Sequence, residues 1–169
     1  MSPTLLLALL ALTADADAGP DFQYEPSAPP DYAPMGLGLG AVIGAPTGFT
    51  GAWRAGRSAV DGAVAWDIPN SRLHLHSDYL FTVYTLNDPL LPEVEFPFYM
   101  GVGARVLLGA DQQSILGARI PLGASVVPKE LSVPLEAFLE VAPVIGLYPS
   151  TAVNLDALIG VRVYPFTGP

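Results

Sequence analysis

The chain has no cysteine in its 169 residues, so no disulfide is available to it; an oxidising envelope compartment where none is needed suits that composition. It also lacks a long hydrophobic run. Apolar residues make up 51% of the sequence, yet no stretch reaches the ~18 consecutive apolar residues that argue for a membrane helix. Bases are scarce: seven Lys and Arg stand against sixteen Asp and Glu, for a formal net charge of −9. With no basic run among them, a nucleic-acid partner is not expected. Charged residues of either sign reach only 14%. High hydrophobicity without a helical span must lie in short alternating segments, as in a membrane β-barrel. A soluble sandwich with a large core is the other architecture this composition allows. The length suits one domain with short appendages.

Residues 1–18 read as a secretory signal peptide, with Leu5 to Leu12 as its apolar core and Ala16-Asp17-Ala18 as the small-x-small cleavage pattern. Residues 19–35 hold five prolines and three acids and keep no periodicity. They read as an extended or disordered leader, in which Phe22, Tyr24 and Tyr32 are the aromatics that could dock on a partner. Residues 36–166 form the barrel.

Period-two alternation begins at Gly36 and is clearest in Leu73 to Tyr84. There Leu73, Leu75, Tyr79, Phe81 and Val83 share one side, interrupted only by Ser77, and His74, His76, Asp78, Leu80, Thr82 and Tyr84 share the other. Side chains of a strand point alternately to its two faces, so this is a strand with one apolar and one mostly polar face. The same dyad predicts strands over 36–43, 49–54, 58–66, 73–84, 98–108, 116–126, 135–144 and 153–164. Turn signals separate them, and residues 85–96 form the longest connection. Eight is the strand number at which side chains just fill a barrel interior, and an even count suits a single-chain bacterial membrane barrel. The expected fold is all-β: an eight-stranded antiparallel up-and-down transmembrane β-barrel. Pro121 and Pro143 fall inside strands, and each needs a bulge or a missing ladder bond, because a closed barrel has no edge to shelter it.

The two faces differ in charge. One is almost free of it; the other carries Arg54, Asp61, Asp78, Arg105, Arg119, Glu136, Glu140, Asp156 and Arg162, among Gly, Ala and two His. Turned outward, that mixed face would be a poor solubilising surface. Turned inward, it makes an ion-pair network, and four Arg must match five carboxylates locally because an unpaired buried charge is costly. Glu136 and Glu140, four apart on one face, are expected to be bridged by Arg105 or Arg119. Such an interior is a packed plug with no open pore. Phe49, Trp53, Trp66, Phe81, Phe98 and Tyr164 fall near strand ends, where membrane barrels carry interfacial aromatic girdles. Glycines such as Gly101 and Gly103 sit within strands and make room inside a narrow barrel.

In the succession GLGLGAVIGAPTG (36–48), SRLHLHSDYL (71–80), FPFYMGVGARVLLG (96–109), LGARIPLGAS (116–125), PLEAFLEVAPVIGLYP (134–149) and LDALIGVRVYPF (155–166), the chain resembles small bacterial outer-membrane β-barrel proteins of the OmpA/OmpX type. That resemblance implies export to the outer membrane of a Gram-negative envelope, contact with outer-membrane lipid, and insertion by the outer-membrane assembly machinery. Such proteins end on an aromatic strand; here the chain continues past Tyr164 and Phe166 to Thr167-Gly168-Pro169. The family implies no catalytic residue and no cofactor.

Three further chemistries are weighed by residue type. His74, His76 and Asp78, two apart on one strand face, are candidate metal ligands. Ser77 or Ser125 with a histidine and an acid would be the parts of a lipid hydrolase. A periplasmic or secreted lipocalin-like barrel, its apolar face inward around a hydrophobic ligand, is the alternative to the membrane barrel. The expectation taken forward is a non-enzymatic integral outer-membrane barrel with a structural envelope role.

Overall fold

The computed structural model describes residues 34–45, 47–67, 71–109 and 114–166; the expected signal peptide and nearly all of the leader lie outside the described residues. Among these the chain is all-β, with nine strands: β1 (Gly36–Ala45), β2 (Thr47–Ala55), β3 (Ser58–Asp67), β4 (Arg72–Asn87), β5 (Val94–Gly109), β6 (Ile115–Arg119), β7 (Leu122–Pro128), β8 (Leu135–Tyr148) and β9 (Val153–Phe166). Consecutive strands pair antiparallel, β6 and β7 share one position between β5 and β8, and β1 pairs with β9. Among the described residues the sheet therefore closes into a ring of eight positions and leaves no edge strand.

Local chemistry sets the connections. The β2–β3 hairpin closes on the Ala55–Ser58 pair with only Gly56 and Arg57 between. Gly56 has φ +58°, and a two-residue hairpin needs a residue free to adopt positive φ at its first central position. Arg57 then donates to the Thr82 and Val83 carbonyls at 3.2 Å each, where β4 runs on past the end of β3.

Alternation places the core inside the ring and the apolar side chains on its outer wall. Ile43, Phe49, Val102 and Leu155 are 72, 67, 62 and 65% exposed, whereas the charged residues of the other parity are buried. Large inward side chains pack over inward glycines of the neighbouring strand. The Tyr99 ring covers Gly123 and the Phe138 ring covers Gly160, each where a Cβ would otherwise stand.

Four expectations are corrected. The strand expected over 116–126 is two, broken at Ile120-Pro121: proline has no N–H to donate, and the ladder continues through its carbonyl, which accepts from Gly101 N at 2.9 Å. Pro143 stays within β8, its carbonyl accepting from Ile120 N at 3.0 Å. The long connection expected over 85–96 shrinks to 88–93, because Thr85, Leu86 and Asn87 pair with Pro97, Phe96 and Glu95. The strand expected over 135–144 runs on to Tyr148. Finally, a bulge at Val83 shifts the register, so that Tyr84 faces out and Thr85 in; an extra residue reverses the dyad beyond it.

Candidate functional site

All nine ionisable side chains of the charged face are buried within the ring. Strand parity puts each inward, and closure brings together residues far apart in sequence. They form two clusters, one on Glu136 and one on Arg119.

Glu136 of β8 is saturated. Its Oε1 accepts from Arg54 at 2.8 Å and from the Ser125 hydroxyl at 2.7 Å, and its Oε2 accepts from the Tyr164 hydroxyl at 2.6 Å. Arg162 of β9 lies 3.7 Å from that same oxygen, donates to Asp61 Oδ2 of β3 at 2.6 Å and to Thr50 Oγ1 at 2.9 Å, and stacks 4.1 Å from the Phe138 ring centre. Burial makes each of these charge-assisted contacts strong, and desolvation makes each dependent on the others.

Arg119 of β6 donates to Asp78 Oδ2 of β4 at 2.8 Å and to Glu140 Oε1 of β8, and its Nε stands 3.7 Å from Asp156 Oδ2. Tyr99 donates its hydroxyl to Glu140 Oε2 at 3.1 Å, and Arg105 donates to Asp156 Oδ1 at 2.6 Å. His74 and His76 place Nε2 and Nδ1 3.2 Å apart, with their rings edge to face. Their Nε2 atoms stand 3.9 Å from Asp156 Oδ2 and 4.0 Å from Asp78 Oδ2 respectively.

The expected bridging of Glu136 and Glu140 divides between partners. Arg119 takes Glu140, Arg54 and Arg162 hold Glu136, and Arg105 goes to Asp156. The candidate metal ligands do not converge. His74 and His76 turn toward one another, Asp78 is held by Arg119, and among the described residues no group of three His, Cys, Asp or Glu side chains is placed to hold a metal ion. Of the two candidate serines, Ser77 lies on the outer wall, opposite in parity to the histidines, and Ser125 donates to Glu136.

Phe49, Trp53, Trp66, Phe81 and Phe98 are on the outer wall; Phe49 and Trp66 make an edge-to-face pair at 6.5 Å. Tyr164 does not belong with them. It is 1% exposed and faces inward, because it shares the parity of Arg162 and its hydroxyl has Glu136 to bond.

Thr50, Thr82, Tyr99, Ser125 and Phe138 also belong to the network, and inward parity with the charged residues was the signal that could have found them. Glu95 was hidden by the loop expected over 85–96. It is buried in β5, 3.3 Å from the half-buried Lys129.

Compared with protein-family models, with curated proteins and with solved structures, the chain matches none.

Proposed function

We propose that the chain is an integral outer-membrane β-barrel protein, a structural element of a Gram-negative envelope whose plugged polar interior leaves no open pore. The observation that carries this is the inversion of the two faces. Apolar and aromatic side chains cover the outer wall of every ring position, while Arg54, Arg105, Arg119, Arg162 and the carboxylates of Asp61, Asp78, Glu136, Glu140 and Asp156 are buried inside. In water that arrangement exposes a continuous apolar surface and desolvates charges, both unfavourable; in lipid the outer wall meets a matching solvent. Four guanidiniums crossing the lumen to carboxylates on other strands fill an interior of this size. The lipocalin-like alternative needs an apolar interior for its ligand, and salt-bridged residues occupy that space instead. Outer-membrane lipid and, during biogenesis, the outer-membrane assembly machinery are the partners of this reading.

The test is gel mobility in SDS of protein from purified outer membranes, boiled and unboiled. A closed membrane barrel resists unheated detergent and changes position on boiling. Recovery in the soluble periplasmic fraction with no heat-dependent shift would overturn the proposal.

A further inference from the structure

Among the described side chains the ring encloses five buried carboxylates, of Asp61, Asp78, Glu136, Glu140 and Asp156, and four buried guanidiniums, of Arg54, Arg105, Arg119 and Arg162. Glu95 is balanced at the mouth by Lys129, and Arg57 and Arg72 are only half-buried at the rims. With His74 and His76, which are buried beside Asp156 and Asp78, both neutral, the enclosed set is one negative charge in surplus, and a low-dielectric interior resists an uncompensated charge strongly.

The strain concentrates at one place. Asp61 and Asp78 stand directly opposite one another in the β3–β4 ladder, both inward. Residues so paired hold their Cβ atoms about 4.5–5.5 Å apart, and like charges there repel. Each carboxylate gives its Oδ2 to an arginine, Asp61 to Arg162 and Asp78 to Arg119. The Oδ1 atoms of both are buried with no hydrogen-bond partner. Gly103 of β5 makes the room for Asp78 Oδ1, since a Cβ there would stand on that oxygen. The charged and titratable groups acting on the pair are His76 from β4, Arg119 from β6, Glu136 and Glu140 from β8, and Asp156 and Arg162 from β9. Both arginines in contact with the pair are shared with other carboxylates, Arg162 with Glu136 and Arg119 with Glu140 and Asp156.

We propose that the Asp61–Asp78 pair binds one small monovalent cation, a proton or an alkali-metal ion, which brings the barrel interior to neutrality. Two carboxylates held side by side share a proton in this way because both cannot remain ionised. The binding follows from charge and geometry inside the ring, and holds whichever solvent meets the outer wall.

Two measurements on the purified folded protein test it. Infrared spectroscopy at neutral pH detects a protonated carboxyl group through its carbonyl stretch. Unfolding temperature in sodium, potassium and choline chloride at equal ionic strength detects an alkali-metal ion, since choline is too large to enter. A carboxylic-acid band in the wild type that is lost in Asp78→Asn or Asp61→Asn supports a bound proton. No band, with a lower unfolding temperature in choline that Asp78→Asn or Asp61→Asn abolishes, supports an alkali-metal ion. A wild type with neither the band nor the salt dependence overturns the proposal, and needs no variant to fold. A band or a salt dependence that survives both asparagine variants also overturns it, because the cation then sits elsewhere.

Discussion

Arg54 of β2 and Glu136 of β8 are 82 residues apart in sequence, yet a 2.8 Å hydrogen bond joins them across the lumen. Ring order puts β1 and β9 between their strands, so the pair ties together parts of the wall that share no ladder. Glu136 is the carboxylate on which the most partners converge, and its loss should be felt by both arginines at once.

Glu136→Ala is therefore expected to destabilise the barrel by about 3–5 kcal/mol, because it leaves Arg54 without its carboxylate inside the ring. Glu136→Gln, which keeps the acceptor for Ser125 or Tyr164 but not the charge, should fall between Ala and wild type. Urea unfolding in lipid vesicles measures both. Equal stability of Glu136→Ala and wild type would remove the network from the account of folding.

Leu139 faces outward and is 53% exposed. For a soluble protein Leu139→Arg would be a mild surface change, within about 0.5 kcal/mol. In a bilayer the same arginine costs about 2–4 kcal/mol near the midplane. Folding into vesicles by the mutant, compared with wild type, separates these outcomes, and an unchanged insertion equilibrium would count against a lipid-facing wall.

The two tryptophans of the sequence, Trp53 and Trp66, both point outward, and strand direction puts them toward opposite rims. Each should sit at headgroup depth, where indole rings concentrate. Variants keeping a single tryptophan are expected to show blue-shifted emission in vesicles, quenched more by lipids brominated near the headgroup than by lipids brominated near the chain ends. Water-like emission from both positions would contradict the assignment of the girdle.

Gly123 lies under the Tyr99 ring, on the strand next to it. Gly123→Ala should cost about 1–3 kcal/mol by overpacking, and Tyr99→Ala in the same chain should recover part of that loss. A double-mutant cycle reads the coupling; strictly additive effects would mean that the ring and the glycine do not share the space.

Much of the fold was legible from alternation alone. In Leu73 to Tyr84 the period of two needs no long-range knowledge, because successive side chains of any strand point oppositely. The same parity assigned Arg54, Asp61, Asp78, Arg105, Arg119, Glu136, Glu140, Asp156 and Arg162 to one face, and the structure buries all nine. Parity also contained the answer for Tyr164, which strand-end position alone misassigned to the girdle. Backbone breaks were less legible. Pro121 signals a missing donor but not whether the strand bends or divides, and nothing in Thr82-Val83-Tyr84 marks a bulge, since its cause is the register with β5.

By itself the sequence determined which residues could face one another's solvent: short dyad segments, one face apolar and one charged, separated by turn residues. Only the tertiary structure decided who pairs with whom. Arg119 rather than Arg105 reaches Glu140, Arg54 crosses to Glu136, and His74 and His76 turn to each other instead of converging with Asp78 as a three-ligand metal site. The reason is closure. A strand's period depends on its own backbone, whereas contacts across a lumen depend on the register of every ladder around the ring.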